Sequence, residues 1–351
     1  MAAESKKVMI TGGAGFIGSE LARQAVARGL RVEVVDNLLN GKRENLAGLP
    51  PDLCRLTVAD VRDSDRVHKL MEGCDVVYHL ACLCVRNSIH DPLENHDVNT
   101  TGTIRMLQVA REVGVEAFVF TSSAEVYGSA CRGPVREDGE MAPTNVYAGA
   151  KAGAEGYTRA YHVCYGVPTM VLRLFNTFGP RCHHEGDCGE VIPKFLLRAM
   201  AGKPLVVFGD GNQTRDFNYV EDTARAILTA GLCKDAVGKV MNIGSGRETS
   251  VNEIARAVIE VVGNPRVEVV HDAPRPGDIA RMCADGSRAR AILGYAPEVP
   301  LTVGLARLKE WYEKTGASAD GLLTEECVHN WDGEELMATV SKSSSRQRQP
   351  V

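Results

Sequence analysis

The segment Lys7-Val8-Met9-Ile10-Thr11-Gly12-Gly13-Ala14-Gly15-Phe16-Ile17-Gly18 restricts what this chain can fold into more than any other. Its first five residues read as a short buried strand, its glycines as a tight turn, and residues 19–28 as an amphipathic helix. Strand, glycine turn and helix in that order form the context of a dinucleotide fingerprint. The glycines, Gly12, Gly15 and Gly18 among them, permit a tight turn, close approach of the backbone to a pyrophosphate, and close packing of helix on strand. Phe16 and Ile17 stand where that helix opens, and its first N–H groups then face two phosphate charges.

A second apolar run, Val32-Glu33-Val34-Val35, ends at Asp36, 18 residues beyond Gly18. A carboxylate there can bind both hydroxyls of an adenosine ribose and repels a 2′-phosphate, which favours NAD over NADP. Further apolar runs follow at 56–58, 76–80, 117–120 and 169–172, separated by helical patterns, notably 93–113 and 147–165. Strands alternating with helices argue for an α/β fold, a doubly wound parallel sheet of Rossmann type with helices on both faces. Past Gly179-Pro180 the rhythm becomes less regular. The expected organisation is a dinucleotide-binding domain over 1–180, a smaller α/β region over 181–317 that mainly holds substrate, and a C-terminal extension over 318–351. The polar run from Ser341 is expected to be disordered.

Tyr147 and Lys151 lie four residues apart, so on a helix they share one face. An ammonium beside a phenol favours the phenolate, which predicts a lowered Tyr147 pKa and a general base. The run Phe118-Val119-Phe120-Thr121-Ser122-Ser123 ends just upstream and brings a hydroxyl toward the pair.

Composition narrows the class. A net charge of −5, with no basic run outside the extreme C-terminus, gives no support for nucleic-acid or membrane-surface binding. No stretch is apolar enough to span a bilayer, and Met1 to Lys7 lacks the core of a signal peptide, so the expected compartment is the cytoplasm. Eleven irregularly spaced cysteines then read as free thiols. Cys182-His183-His184 and Asp187-Cys188 are metal-capable, but their spacing matches no zinc pattern. The expectation is no metal, and a loop lining a sugar pocket with His183 or His184 at a hydroxyl or carboxylate.

In order along the chain stand Asp36-Asn37-Leu38, Ala59-Asp60-Val61, His79-Leu80-Ala81, Asn99-Thr100-Thr101-Gly102-Thr103 and Thr121-Ser122-Ser123-Ala124-Glu125-Val126-Tyr127-Gly128. Leu172-Arg173-Leu174-Phe175-Asn176-Thr177-Phe178-Gly179-Pro180, Arg215-Asp216-Phe217 and Arg275-Pro276-Gly277-Asp278 follow. With the glycine motif and the Tyr147/Lys151 pair, this set resembles the extended short-chain dehydrogenase/reductase superfamily. The likeness is to its nucleotide-sugar epimerase/dehydratase branch, over about residues 7–315.

The resemblance implies roles. Asp60 and Val61 would contact adenine. Leu80, Ala81 and Cys82 would run beside the cofactor, with Cys82 where the family more often has alanine. Asn37, Asn99 and Thr121 join the cofactor contacts. Ser123 matches the catalytic hydroxyl, Tyr147 the base, and Lys151 the residue that holds the nicotinamide ribose. Asn176 would lie near the substrate phosphates and Phe208 against the nucleotide base. Arg215 and Arg275 would pair with the diphosphate, and Val191 and Asp278 would line the substrate. In the family, the helices equivalent to 93–113 and 147–165 pair across a two-fold axis, which implies a homodimer and assigns Ile104, Leu107, Val163 and Tyr165 to its surface.

The implied chemistry is transient oxidation of a nucleotide sugar at C4 with bound NAD. The 4-keto sugar can be re-reduced on the other face (4-epimerase), dehydrated (4,6-dehydratase) or, for a uronate, decarboxylated. Glu125 matches the base of the dehydratases, but Ala124 stands where they carry an acid. Decarboxylases resembling this chain also carry Glu here, whereas many 4-epimerases have a small neutral residue. The 4-epimerase is the first expectation because it needs no further group. The alternatives are a 4,6-dehydratase or a UDP-glucuronate decarboxylase using Glu125. A non-catalytic NAD-binding sensor is a third reading; such a protein should lack one of Ser123, Tyr147 and Lys151.

Overall fold

A computed structural model describes residues 5–331 apart from 132, 187, 276, 277 and 330. Asp187, Pro276, Gly277 and the tail from Ser341 therefore lie outside the described residues. β1 (Lys7–Thr11), α1 (Phe16–Ala27), β2 (Arg31–Asp36), β3 (Cys54–Val58), α2 (Ser64–Met71) and β4 (Val76–His79) open the chain. α3 (Asn87–His90), α4 (Pro92–His96), α5 (Gly102–Val113) and β5 (Ala117–Ser123) come next. A short β6 (Pro134–Val135) precedes α6 (Val146–Tyr165), β7 (Thr169–Leu174) and β8 (Asn176–Phe178). Beyond them run α7 (Val191–Met200), β9 (Leu205–Phe208), β10 (Thr214–Tyr219), α8 (Val220–Leu232) and β11 (Val240–Ile243). β12 (Glu248–Ser250), α9 (Val251–Val262), β13 (Val269–Asp272), β14 (Cys283–Ala284), α10 (Ser287–Leu293), α11 (Leu301–Lys314) and α12 (Ala319–Leu322) complete the described chain.

Seven strands form one parallel sheet in the order β11-β7-β5-β4-β1-β2-β3. Its strands are apolar on both sides because helices cover both faces. On one face Ile10, Val34 and Leu172 pack with Leu21 of α1 and Ile227 of α8. On the other, Met9, Val77 and Phe118 pack with Met71, Met106 and Ala154. The strand order reverses between β1 and β4, and ligands of such sheets bind at the carboxyl ends of the strands flanking that point. β1 ends at Thr11 and β5, beside β4, ends at Ser123.

From β8 onward the chain builds small sheets, β12-β10-β8 and β13-β9, around a core with α7, α9 and α11. It also returns to the large sheet: β11 pairs with β7, and α8 packs beside α1. A buried charge network ties these parts together. Arg173 donates to both oxygens of Glu155, at 3.0 and 2.6 Å, with the two residues 2% and 0% exposed. It also donates to the Tyr127 hydroxyl, which in turn donates to Asn242 of β11.

Two expectations about helices change. The pattern at 93–113 is not one regular helix, because α4 and α5 are joined by a wide π-turn, Asp97–Thr101. Four residues apart, Asn95 and Asn99 face the same loop: Asn95 donates to the Cys84 carbonyl at 3.0 Å and Asn99 to the Leu83 carbonyl at 3.0 Å. Leu107, assigned to an external surface, is fully buried against the sheet, and Ile104 is half-buried. Val163 and Tyr165 are exposed.

Candidate active site

The carboxyl ends of the sheet open into a cavity of about 810 Å³. Its floor is the glycine turn. Gly12 has φ +68°, and a Cβ at Gly18 would sit 2.2 Å from the Gly12 carbonyl oxygen, so neither position accepts a side chain. Gly15 caps α1 without any side-chain hydrogen bond, which leaves the first N–H groups of the helix turned to the cavity. Asp36 ends β2 beside this turn, where its Oδ2 accepts the Ala14 N–H at 3.0 Å and its Oδ1 the Leu38 N–H at 2.8 Å. Burial pushes its carboxyl above the ordinary value, against those two bonds. Asp60 also lines the cavity, but Arg62 holds both its oxygens and keeps its carboxyl low.

Ser123, Glu125, Tyr147 and Lys151 meet on one wall. β5 delivers Ser123, whose Oγ accepts the Glu125 N–H at 3.2 Å. Asn145 caps α6 by accepting the Ala148 N–H at 2.8 Å, a contact worth about 1 kcal/mol in such helices. The same Asn145 donates to Glu125 Oε2 at 3.1 Å. One side chain thus fixes both the helix carrying the Tyr–Lys pair and the carboxylate beside it. The predicted lowering of the Tyr147 pKa is corrected. Burial pushes the phenol well above its ordinary value and Cys82 adds to this, while a hydrogen bond with Ser123 works against it. Lys151, 2% exposed, is pulled below its own ordinary value by burial.

The loop after residue 180 closes another side of the cavity. Arg181, at φ 72°, is anchored on Glu20 and Ser19 of α1. His183, Cys188 and Glu190 line the cavity, whereas Cys182 is in the core and His184 packs edge-on against Tyr312. Burial lowers His183, but the Glu185 hydrogen bond and charge outweigh it and the imidazole is raised. Arg86 donates to the Cys188 carbonyl at 3.3 Å, and the Cys84 and Cys188 sulfurs are 3.6 Å apart. At the far end stand Arg215 and Arg275. Arg215 is ion-paired with Asp278 and donates to the Ile279 carbonyl at 2.6 Å.

A family model for GDP-mannose 4,6 dehydratase matches residues 9–308. The chain belongs to this family of NAD-dependent nucleotide-sugar epimerases and dehydratases. It is 36% identical over 310 residues to the UDP-glucose 4-epimerase of Mycolicibacterium smegmatis, covering 87% of this chain and 98% of that protein. It is 34% identical over 318 residues to UDP-glucuronic acid decarboxylase 1 of Xenopus tropicalis, covering 89% of this chain and 73% of that one. The NAD-bound dTDP-glucose 4,6-dehydratase of Streptomyces venezuelae superposes with a TM-score of 0.82 at 33% identity, over 88% of this chain and 97% of that one.

The residues present fit the dinucleotide that this family uses. An uncapped helix N-terminus, a glycine turn with no room for a Cβ and a carboxylate at the end of β2 lie along one wall of one cavity. Among the cofactor candidates, Asn37, Val61, Leu80, Ala81, Cys82 and Thr121 also line it. Asn99 does not. It is 1% exposed and braces Leu83, accepting its N–H at 2.9 Å, so its part is in positioning the loop that runs beside the cavity. Among substrate candidates, Asn176, Val191, Phe208 and Asp278 line the cavity with the two arginines. Sequence reasoning missed Arg86, Asn145, Glu190 and Trp331 on the same walls. Only Asn145 carried a local signal, as a helix-capping residue just before the Tyr–Lys helix.

Proposed function

We propose that this chain is an NAD-dependent nucleotide-sugar 4-epimerase. Bound NAD⁺ would supply the hydride acceptor at C4 and later the same hydride. Asp36 and the open N-terminus of α1 hold the ribose and pyrophosphate of the cofactor. Arg215 and Arg275 hold the substrate diphosphate, for which planar guanidinium groups are suited. Tyr147 removes the C4 hydroxyl proton as the hydride leaves, with Ser123 hydrogen-bonded to the same oxygen. Lys151 keeps positive charge beside the phenol. Tyr147 then returns its proton to the C4 oxygen when the turned 4-keto sugar is reduced from its other face, so atoms and electrons balance over the cycle.

The observation that carries epimerisation over dehydration is Ala124, which is 2% exposed and offers no proton beside Glu125. A second reading, uronate decarboxylation, rests on Glu125 lining the cavity near the charge of Arg275. Incubation with a panel of UDP-, dTDP- and GDP-sugars decides among them. Epimerisation leaves product mass unchanged with an altered NMR spectrum, whereas losses of about 18 and about 44 Da report dehydration and decarboxylation.

The same reading includes a homodimer. It is supported by apolar side chains in solvent on α4 and α6: Leu93 and Val163 are each 81% exposed and Tyr165 is 52% exposed. Isologous pairing of such a surface is the commonest way to cover it. Light scattering at micromolar protein should give twice the chain mass, and a monomer mass would overturn the pairing.

A further inference from the structure

The C-terminal segment after α12 runs back across α7 to the far end of the cavity. Gly186 donates to the Glu325 carbonyl at 2.8 Å, Arg198 pairs with Glu326 at 2.7 Å, and Lys194 donates to the Cys327 carbonyl at 2.5 Å. Leu323 and Cys327 are buried, at 7% and 0% exposed. His329 meets Asp272 of β13 at 2.9 Å. The segment ends against the site: Trp331 packs edge-on to Phe208 with ring centres 4.5 Å apart, and His329 closes the aromatic cluster at 5.5 Å from Trp331. The Arg275 guanidinium lies 5.8 Å from the Trp331 ring centre. Glu326, Val328 and Trp331 line the cavity, and all lie beyond residue 308, where the family match ends.

We propose that residues 323–329 together with Trp331 form a strap that completes the substrate site, with the Trp331 indole forming a wall against the base of a nucleoside diphosphate. This rests on the nucleotide-sugar reading above. The chemistry is particular to that end of the cavity. An aromatic wall made by Trp331 and Phe208 adjoins Arg275, with Arg215 on the same cavity. A nucleoside diphosphate offers a planar base and two anionic groups within one molecule, so it satisfies the aromatic wall and the cations together. Four separate attachments, to Gly186, Lys194, Arg198 and Asp272, hold the strap in place before substrate arrives.

The chain has two tryptophans, Trp311 and Trp331, so indole emission reports on the strap. UDP, dTDP, GDP and inorganic pyrophosphate are titrated into the full chain, following fluorescence and calorimetry. At least one nucleoside diphosphate should quench emission with saturation, pyrophosphate should not, and Trp331→Phe should remove the quenching. Trp331→Ala should weaken binding of that nucleotide roughly 5- to 150-fold, the range for loss of one base-stacking aromatic. The KM of its sugar should rise alike while kcat stays within about twofold. Circular dichroism checks that both variants are folded. Calorimetric binding of a nucleoside diphosphate with equal affinity in wild type and Trp331→Ala would overturn the strap but leave the proposed function standing. Wild type that binds none of the three nucleotides would overturn both.

Discussion

The Lys151 ammonium donates to the Thr121 carbonyl at 2.9 Å and lies 5.9 Å from the centre of the Tyr147 ring. The two side chains share a buried wall that holds the phenol's pKa high. The base must be ionised to take a proton, so turnover should rise with pH through the Tyr147 titration. Lys151→Met removes a cation from the same wall and should move that rising limb to higher pH. Tyr147→Phe should abolish turnover at every pH, a loss of at least about 10²–10⁴. Profiles of kcat against pH for the three proteins check this.

Asp36 takes two backbone N–H groups and retains lone pairs toward the cavity. Asp36→Ala should weaken NAD about tenfold or more and narrow the preference for NAD over NADP. Calorimetry with both dinucleotides measures it, and native protein that favours NADP would contradict the reading of Asp36.

Glu125 decides between reaction classes. In an epimerase, Glu125→Gln keeps the hydrogen bond to Asn145 by turning its amide oxygen, and turnover should fall only a fewfold. If Glu125 were a proton-removing base, the same change should cost about 10²–10⁴ in rate. Oxidation at C4 would continue, and absorbance of the reduced cofactor would accumulate. Stopped-flow absorbance together with product NMR separates the two outcomes.

Arg173 and Glu155 form a buried pair with almost no access to water. Removing one partner leaves an uncompensated charge, so Arg173→Met should cost about 3–5 kcal/mol in chemical denaturation. Arg173→Met combined with Glu155→Leu should recover most of that loss, because it removes the desolvated charge rather than stranding it.

His79 lies 1% exposed between Thr11 and Thr103, at 2.7 and 3.1 Å. Burial first and the Lys151 charge second pull its pKa down to about 3 from an ordinary 6.5. Below the ordinary value the unfolded chain binds a proton that the folded chain refuses. Stability should therefore fall as pH drops from 6.5 toward 3, by up to roughly 1.4 kcal/mol per pH unit from this group. His79→Asn should flatten that acid limb in urea titrations run between those limits.

The parts of the site that depend on backbone geometry were legible in the sequence. Gly12 and Gly18 have no tolerance for a side chain, so they announce themselves, and Asp36 follows at a fixed distance along β2. Tyr147 and Lys151 were legible as helix neighbours, but their pKa shifts were not, because burial is a property of the packed wall. Trp331 and Arg86 reach the cavity through loops whose paths depend on distant anchors such as Asp272 and Cys188. Leu107 was misplaced because apolar residues on α5 look alike whether they face the sheet or solvent.

The π-turn between α4 and α5 makes chain length itself a variable of the site. A π-turn carries one residue more than a regular turn, so deleting one residue near Thr100 would let 92–113 wind as a regular helix with α4 and α5 keeping their faces. The same deletion within α5 would turn the residues on one side of the cut by about 100° relative to the other. An insertion between Asn95 and Asn99 would instead turn one of them off Leu83 or Cys84, and the segment that carries Arg86 along the cavity would lose part of its brace. The same turn also touches the Tyr147 helix, where Thr100 donates to the Ala150 carbonyl at 3.0 Å, so a change of one residue in chain length there would act on the cavity through its braces as well as its walls.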